Sequence, residues 1–293
     1  MEKINIDLIA KKLVNEEVEI FQDKEIINAL DESLIKLDKK YSKPLTCLGM
    51  IEDNGAVRDV LTIGNISTVI GGAKSKKTFF LTMLISSLLG SNRYAMQGNL
   101  FNLNVVNFDT EQATYHVHKI KRRVKKIIGR DELIMYALRK YSPDFRAALI
   151  EHYLKVNDGN YSFVLIDGIV DLLYDFNDLH ESKKITTKLM EWSEKYKCHI
   201  CCVLHTNKDK NYARGHLGAE LMNKSETVIR VDKVDDFNSE VSCEVSRNMG
   251  FKSFTFNIQD GLPERLTFPN NFYNNDSSAT IPEHITKYDK APF

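Results

Sequence analysis

The sequence predicts an α/β protein with a mostly parallel central sheet, and three observations carry that prediction. Short apolar runs recur without polar alternation, helix-patterned segments separate them, and several runs stop abruptly at a polar or charged residue. Strands buried on both faces read as continuous apolar runs, and intervening helices supply the crossovers that parallel pairing needs. A chain of 293 residues can bury a substantial core, as one large domain or two ordinary ones.

The elements follow in order. Residues 1–44 are charged and helix-patterned. Ile26, Ile27, Leu30, Leu34 and Leu37 recur at helical steps and predict an amphipathic helix, closed at Tyr-Ser-Lys-Pro because the residue before a proline leaves helical space. This reads as a helical appendage for packing or oligomer contact. Strands are expected at 67–71, 103–109, 162–167, 199–205 and 226–231. Between them fall a helix after Lys77, a basic helix over 112–128, and helices near 144–156 and 182–196, the last striped by Ile185, Leu189, Trp192 and Tyr196. The runs SCEVSRN and FTFNIQD read as an antiparallel extension. The main domain therefore covers 45–268, and residues 269–293, rich in Asn, Ser, Asp and Pro, read as a loosely ordered tail.

Composition narrows the function classes. The formal net charge is zero, so contact with nucleic acid would need a local patch rather than a global field. Five cysteines in this length make no disulfide framework. Cys198, Cys201 and Cys202 cluster, but on a strand positions three apart face opposite sides, which suits core packing better than a shared metal. The start MEKINIDLIAKK carries charges within its apolar run, unlike a signal peptide, and no run is long enough to span a bilayer. The expected setting is the cytoplasm, away from membranes.

Chemistry enters at GGAKSKKT, residues 71–78, directly after an apolar strand. The phosphate-loop pattern is G-x-x-x-x-G-K-[ST] between a strand and a helix. Gly71 is the first glycine, Lys77 the lysine and Thr78 the hydroxyl, while Lys76 stands where the second glycine belongs. Such a loop curves backbone N–H groups around an anion at a helix N-terminus, with the lysine at the β- and γ-phosphates. Gly71, Gly72, Ala73, Lys74, Ser75, Lys76, Lys77, Thr78 and Phe79 are the expected nucleotide-binding residues. A side chain at the second glycine costs about 1–2 kcal/mol if the loop torsion is left-handed.

A Mg²⁺-nucleotide site also needs a carboxylate at a neighbouring strand end. Asp167 closes YSFVLID and is the candidate metal residue with Thr78. Asp-Gly is also a hairpin signal, but the residues that follow do not alternate as a return strand would. NFDTEQ ends at Asp109, with Glu111 beyond it placed to polarise the attacking water. The alternative is a helix N-cap by Thr110 with an acidic first turn. VLHTNK ends a further strand at His205, beside the expected phosphates.

Taken in order, VIGGAKSKKTFF, NFDTEQ, FVLID, VLHTNK, RGHLGAELMNKSET and VSRNMG resemble the motifs of RecA-fold ATPases. The likeness is greatest to the hexameric RepA and DnaB helicase branch and the related AAA-type proteins of plasmids and mobile elements. It covers roughly residues 45–265. The resemblance implies a P-loop core that binds ATP and Mg²⁺ between subunits of a homo-oligomer and acts on DNA in replication, mobilisation or excision of a mobile element. Carried over by position, Lys77 and Thr78 match the Walker A pair, Asp167 the Walker B acid, Glu111 the base and His205 the γ-phosphate-sensing residue. Arg247 in VSRNMG matches an arginine that reaches a neighbour's phosphate, although Val245 replaces that motif's lysine.

In such proteins nucleotide turnover moves a loop that grips single-stranded DNA. The candidate here holds Lys208, Lys210, Tyr212, Arg214 and His216, since cations interleaved with an aromatic suit backbone contact and base stacking. A solvated loop is the alternative. The segment HKIKRRVKK is a second basic patch, read as a solvated helix face or a subunit contact. Two functions remain open: a DNA-handling ATPase motor, or a weakly hydrolysing ATP-binding assembly or regulatory protein.

Overall fold

The computed structural model describes residues 23–100, 103–207, 213 and 215–267. The chain divides after Lys43 into two units, and the first holds one described helix, α1 (Asp23–Ser33). No residue of α1 is buried. Leu34 and Leu37 were expected on its stripe but lie beyond its end. The Lys36 N–H donates to the Tyr41 hydroxyl at 3.0 Å rather than to the carbonyl four residues back, which stops the helical ladder.

The second unit contains two sheets. A three-stranded antiparallel sheet has the order β2-β1-β4, from β1 (Thr46–Ile51), β2 (Val57–Thr62) and β4 (Met96–Gly98). The nine-stranded sheet has the order β12-β11-β10-β9-β3-β8-β7-β5-β6. Its parallel part comprises β3 (Ile66–Gly71), β5 (Asn104–Asp109), β6 (Ile134–Ala137), β7 (Ser162–Asp167), β8 (Cys198–His205) and β9 (Thr227–Lys233). Strands β10 (Ser239–Ser246), β11 (Phe254–Gln259) and β12 (Leu262–Arg265) continue it antiparallel.

Both faces of this sheet are covered, which explains the unbroken apolar strands. Val69, Phe163, Leu165, Cys201 and Val203 pack on one side with α2 (Lys77–Leu88) and α3 (Thr114–Ile128). Their neighbours Ile70, Val164, Ile166, Cys202 and Leu204 pack on the other with α4 (Pro143–Val156), α5 (Leu179–Lys195) and α6 (Gly215–Lys224). Successive residues of a strand point to opposite faces, so each side needs its own apolar set. Full burial of one such side chain contributes about 1.5–3 kcal/mol. The cysteines of β8 belong to this packing: Cys198 and Cys202 lie in one layer and Cys201 in the other, all buried.

Because the central strands run parallel, their C-terminal ends share one edge. Register pairs Gly71 with His205 and Asp109 with Asp167. The Asp167-Gly168 step turns no hairpin; it leads into a 3-10 turn at Ile169–Leu172. Gly168 adopts φ 99°, and a Cβ there would collide with the Thr110 hydroxyl. Among the described residues, no helix is long and apolar enough to cross a membrane.

Candidate nucleotide site

The loop between β3 and α2 has the shape its sequence predicts. Gly71 is buried, and a Cβ there would run into the Val231 carbonyl. Two residues turn the loop through left-handed torsions, Lys74 at φ 63° and Lys76 at φ 67°. Lys76 thus occupies the conformation in which the pattern places glycine. Its ammonium lies 3.4 Å from both the Asn238 carbonyl and the Ser239 hydroxyl, at the β9–β10 turn. Ala73 and Lys74 are exposed and Ser75 is buried. Thr78 and Phe79 are half-buried at the start of α2, with the Arg123 guanidinium 3.9 Å over the Phe79 ring.

Lys77 sits at the centre. Its ammonium donates to the carbonyls of Gly71 at 2.8 Å and Gly72 at 3.0 Å, and lies 3.2 Å from His205 Nδ1. Burial lowers its pKa to about 8, opposed by the charges of Asp167 and Glu111. Since an ammonium only donates, His205 Nδ1 accepts, which leaves the ring proton on Nε2. That nitrogen lies 3.8 Å from Glu111 Oε2. The imidazole, then the Lys77 charge, hold the Glu111 carboxyl below its usual range against the effect of burial.

Asp167 is deeply buried, and burial followed by repulsion from Asp109 and Glu111 pushes its pKa up to about 7. Its Oδ2 has no hydrogen-bond partner, and neither do Ser75 Oγ and Thr206 Oγ1, all shielded from solvent. A buried polar atom left unpaired costs about 1–3 kcal/mol. Among the described residues no group of three or more His, Cys, Asp or Glu could hold a metal by itself. The residues present do fit a cation shared with a ligand: an unpartnered carboxylate oxygen on a residue whose ionisation its surroundings oppose, and the Thr78 hydroxyl opening the adjacent helix.

Asp109 serves the backbone instead. Its carboxylate accepts from the N–H groups of Glu111 at 3.2 Å and Gln112 at 2.7 Å, and from Gln112 Nε2 at 2.8 Å, fixing the segment that carries Glu111. The expected N-cap at Thr110 is corrected: α3 starts later, after Ala113. The Thr110 hydroxyl lies 2.7 Å from the Gly168 carbonyl, 3.0 Å from that of Asp167 and 3.0 Å from Asp171 Oδ2. It therefore ties the end of β5 to the end of β7.

Lys77, His205 and Glu111 thus form one cluster, with Asp167 in the same electrostatic field. Arg247 is not among them. It follows β10, whose Ser246 pairs with Thr227 at the start of β9, so it stands at the opposite end of the sheet. There its N–H donates to the Glu226 carbonyl at 2.9 Å and its guanidinium to the Lys224 carbonyl at 2.8 Å. Lys208, Lys210, Tyr212 and Arg214 lie outside the described residues, and His216 is exposed in the first turn of α6. Reading the sequence missed Ser75 and Thr206 as orphaned hydroxyls. Ser75 lies within the loop pattern and Thr206 directly after His205, but nothing in a sequence marks a hydroxyl as unpaired.

No protein-family model matches the chain, and no curated protein does. Among solved structures, the ATPase domain of a DnaB-like helicase is similar, with a TM-score of 0.51 at 13% identity over 69% of this chain and 85% of that one. At that identity the likeness is one of fold, and the fold is the RecA-like α/β core that the ordered motifs led us to expect.

Proposed function

We propose that this chain binds ATP with Mg²⁺ at residues 71–79, hydrolyses it between subunits of a homo-oligomer, and uses the cycle to act on DNA. The observation that carries the reading is the convergence of Lys77, His205 and Glu111 around a loop of phosphate-binding shape, beside a buried carboxylate with an unpartnered oxygen. Thr78 and Asp167 would hold Mg²⁺, which neutralises phosphate charge when bound. The Lys77 ammonium would leave one of its acceptors to bind the β- and γ-phosphates. Glu111, held ionised, would take the proton of a water whose oxygen attacks the γ-phosphorus while the bond to the β-phosphate oxygen breaks. His205 lies between Lys77 and Glu111 and would sense which of them is engaged. Arg247, too far along the sheet to serve its own loop, would serve a neighbour's.

The test is nucleotide affinity by calorimetry, with and without Mg²⁺, for the wild type and Lys77→Ala. Loss of binding in the variant supports the reading, and a wild type with no affinity at millimolar ATP overturns it. A second reading, a weakly hydrolysing assembly or regulatory protein, is favoured by one observation, the side chain at the loop's left-handed position 76. Phosphate release with and without single-stranded DNA separates the two. Residues 208–214 remain the proposed DNA loop, and a plasmid, phage or mobile element the proposed setting.

A further inference from the structure

Helix α3 carries a face that the nucleotide site does not use. Its sequence, TYHVHKIKRRVKKII, contains no acidic residue, in a protein whose formal net charge is zero. Val117, Ile120 and Val124 are its buried stripe. Two of its cations are engaged locally: Lys121 pairs with Asp131 at 3.1 Å, and Arg123 turns inward to Phe79 and the Gly261 carbonyl. Lys119, Arg122, Lys125 and Lys126 are exposed, and none of them forms a salt bridge among the described residues. Lys119, Arg122 and Lys126 are spaced three and four apart and lie on one face. At its upstream end Tyr115 is 66% exposed, with the Lys119 ammonium 5.3 Å over its ring.

We infer that this face binds the sugar-phosphate backbone of a nucleic acid strand. Like charges one turn apart repel each other, and that cost is recovered when a polyanion covers them. The composition points to phosphate rather than to a protein partner. Three of the four cations are lysines, strongly hydrated and depleted from protein interfaces, and Tyr115 is the one large exposed aromatic on the helix. Cations with an interleaved aromatic are what a single strand needs. Placement supplies a consequence. The helix starts three residues after Glu111, and Arg123 donates to Thr82 Oγ1 of α2 at 3.3 Å. A strand held here sits beside the segment carrying the proposed base and is clamped to the helix behind the phosphate loop.

The binding claim stands apart from the ATPase reading, and only the coupling to Glu111 rests on it, so the experiment is done first without nucleotide. Fluorescence anisotropy of a labelled oligothymidylate is followed between 50 and 200 mM salt. Each phosphate neutralised adds about 0.7 to the log–log slope, so four cations account for about 2.8, a roughly 50-fold loss of affinity over that range. The variant carrying Lys119→Ala, Arg122→Ala, Lys125→Ala and Lys126→Ala is expected to lose about that much slope. All four are exposed and alanine favours helix, so the melting temperature and ATP affinity are expected to stay the same. Unchanged slope and affinity in the variant overturn the inference, as does a wild type that binds no oligonucleotide at 50 mM salt. It is also overturned if the variant alters sedimentation but leaves oligonucleotide binding intact, because the face is then a contact between copies. A wild type that binds the strand but not ATP supports the inference and sinks the ATPase proposal alone.

Discussion

Position 76 is where the loop departs from its pattern, and the departure has a calculable cost. Lys76 adopts φ 67°, a conformation that costs a residue with a Cβ about 1–2 kcal/mol and costs glycine almost nothing. Glycine gives back about 0.5–1 kcal/mol through the greater freedom of its unfolded chain. Lys76→Gly is therefore expected to be about 0.5–1 kcal/mol more stable than Lys76→Ala, the variant that removes the same side chain but keeps the strain. For a domain of this size that is a difference of roughly 1–4 °C in melting temperature. The comparison cancels the contacts of the ammonium with Asn238 and Ser239, at 3.4 Å too long to be worth more than a few tenths of a kcal/mol. The assay is thermal unfolding of both variants followed by circular dichroism, with ATP affinity measured alongside. Both should bind ATP, because Lys77 and the loop backbone are intact. An alanine variant as stable as the glycine variant would show that the loop is not strained at this residue. Loss of binding in both would mean that Lys76 itself grips phosphate.

Glu111→Gln keeps the shape and removes the base, so ATP affinity should persist while turnover falls by roughly 10²–10⁴; unchanged turnover in a phosphate-release assay returns Glu111 to a backbone role. Arg247→Ala should lower turnover without much change in affinity, and mixing it with Lys77→Ala protein should restore some activity at mixed interfaces; a fully active monomer by sedimentation rules this out. Asp167 titrates near 7 and Lys77 near 8 in the free protein, and ligand favours the charged form of each. Affinity for Mg²⁺-ATP should therefore fall below about pH 7 as Asp167 holds its proton, and above about pH 8 as Lys77 loses one; calorimetry from pH 5.5 to 9.5 that gives a flat profile contradicts both assignments. His199 is buried with its pKa lowered to about 4, so its folded form prefers to be neutral. The stability this contributes is complete above the unfolded value near 6.5 and is lost as pH falls towards 4, by about 3 kcal/mol in total; His199→Gln should remove that limb from urea midpoints measured across the range.

The fold was legible where burial on two faces left a one-dimensional trace. The runs at 67–71, 162–167 and 199–205 are strands because each side of the sheet demanded its own apolar residues. The small sheet was not legible. In β1, TCLGMI, the pattern is interrupted by Gly49, whose close approach to Val57 and Arg58 only pairing reveals. The short strands β6 and β12 escaped for lack of length. At the site, the loop, Asp167, Glu111 and His205 were readable because strand ends must bear polar residues there. What could not be read were relations between distant residues: the anchoring of Lys76 on Ser239, the diversion of Thr110 to the carbonyls of Asp167 and Gly168, and the orphaned hydroxyl of Thr206.

The two ends of the central sheet treat buried polar groups in opposite ways, and the contrast accounts for the site. At the far end His199 is satisfied on both ring nitrogens, by Ser67 Oγ at 2.7 Å and the Thr62 carbonyl at 2.8 Å, and its ring stacks on Phe163. Glu226 accepts from the Thr62 N–H at 3.0 Å and the Thr62 hydroxyl at 2.8 Å. These bonds link β8 to β3 and β9 to β2, and a slip of one residue would break them and turn every core side chain to the wrong face. Register held there is transmitted along rigid strands to the other end, where it sets His205 opposite Gly71 and brings its ring within 3.2 Å of Lys77. At that end Asp167, Ser75 and Thr206 keep polar atoms without partners, and Lys77 and Asp167 are each driven toward their neutral forms. A fold so thorough at one end is not careless at the other. The unpaired groups are those that an anion and a cation would satisfy together, so the far network bears the stability that lets the near end stay strained for binding.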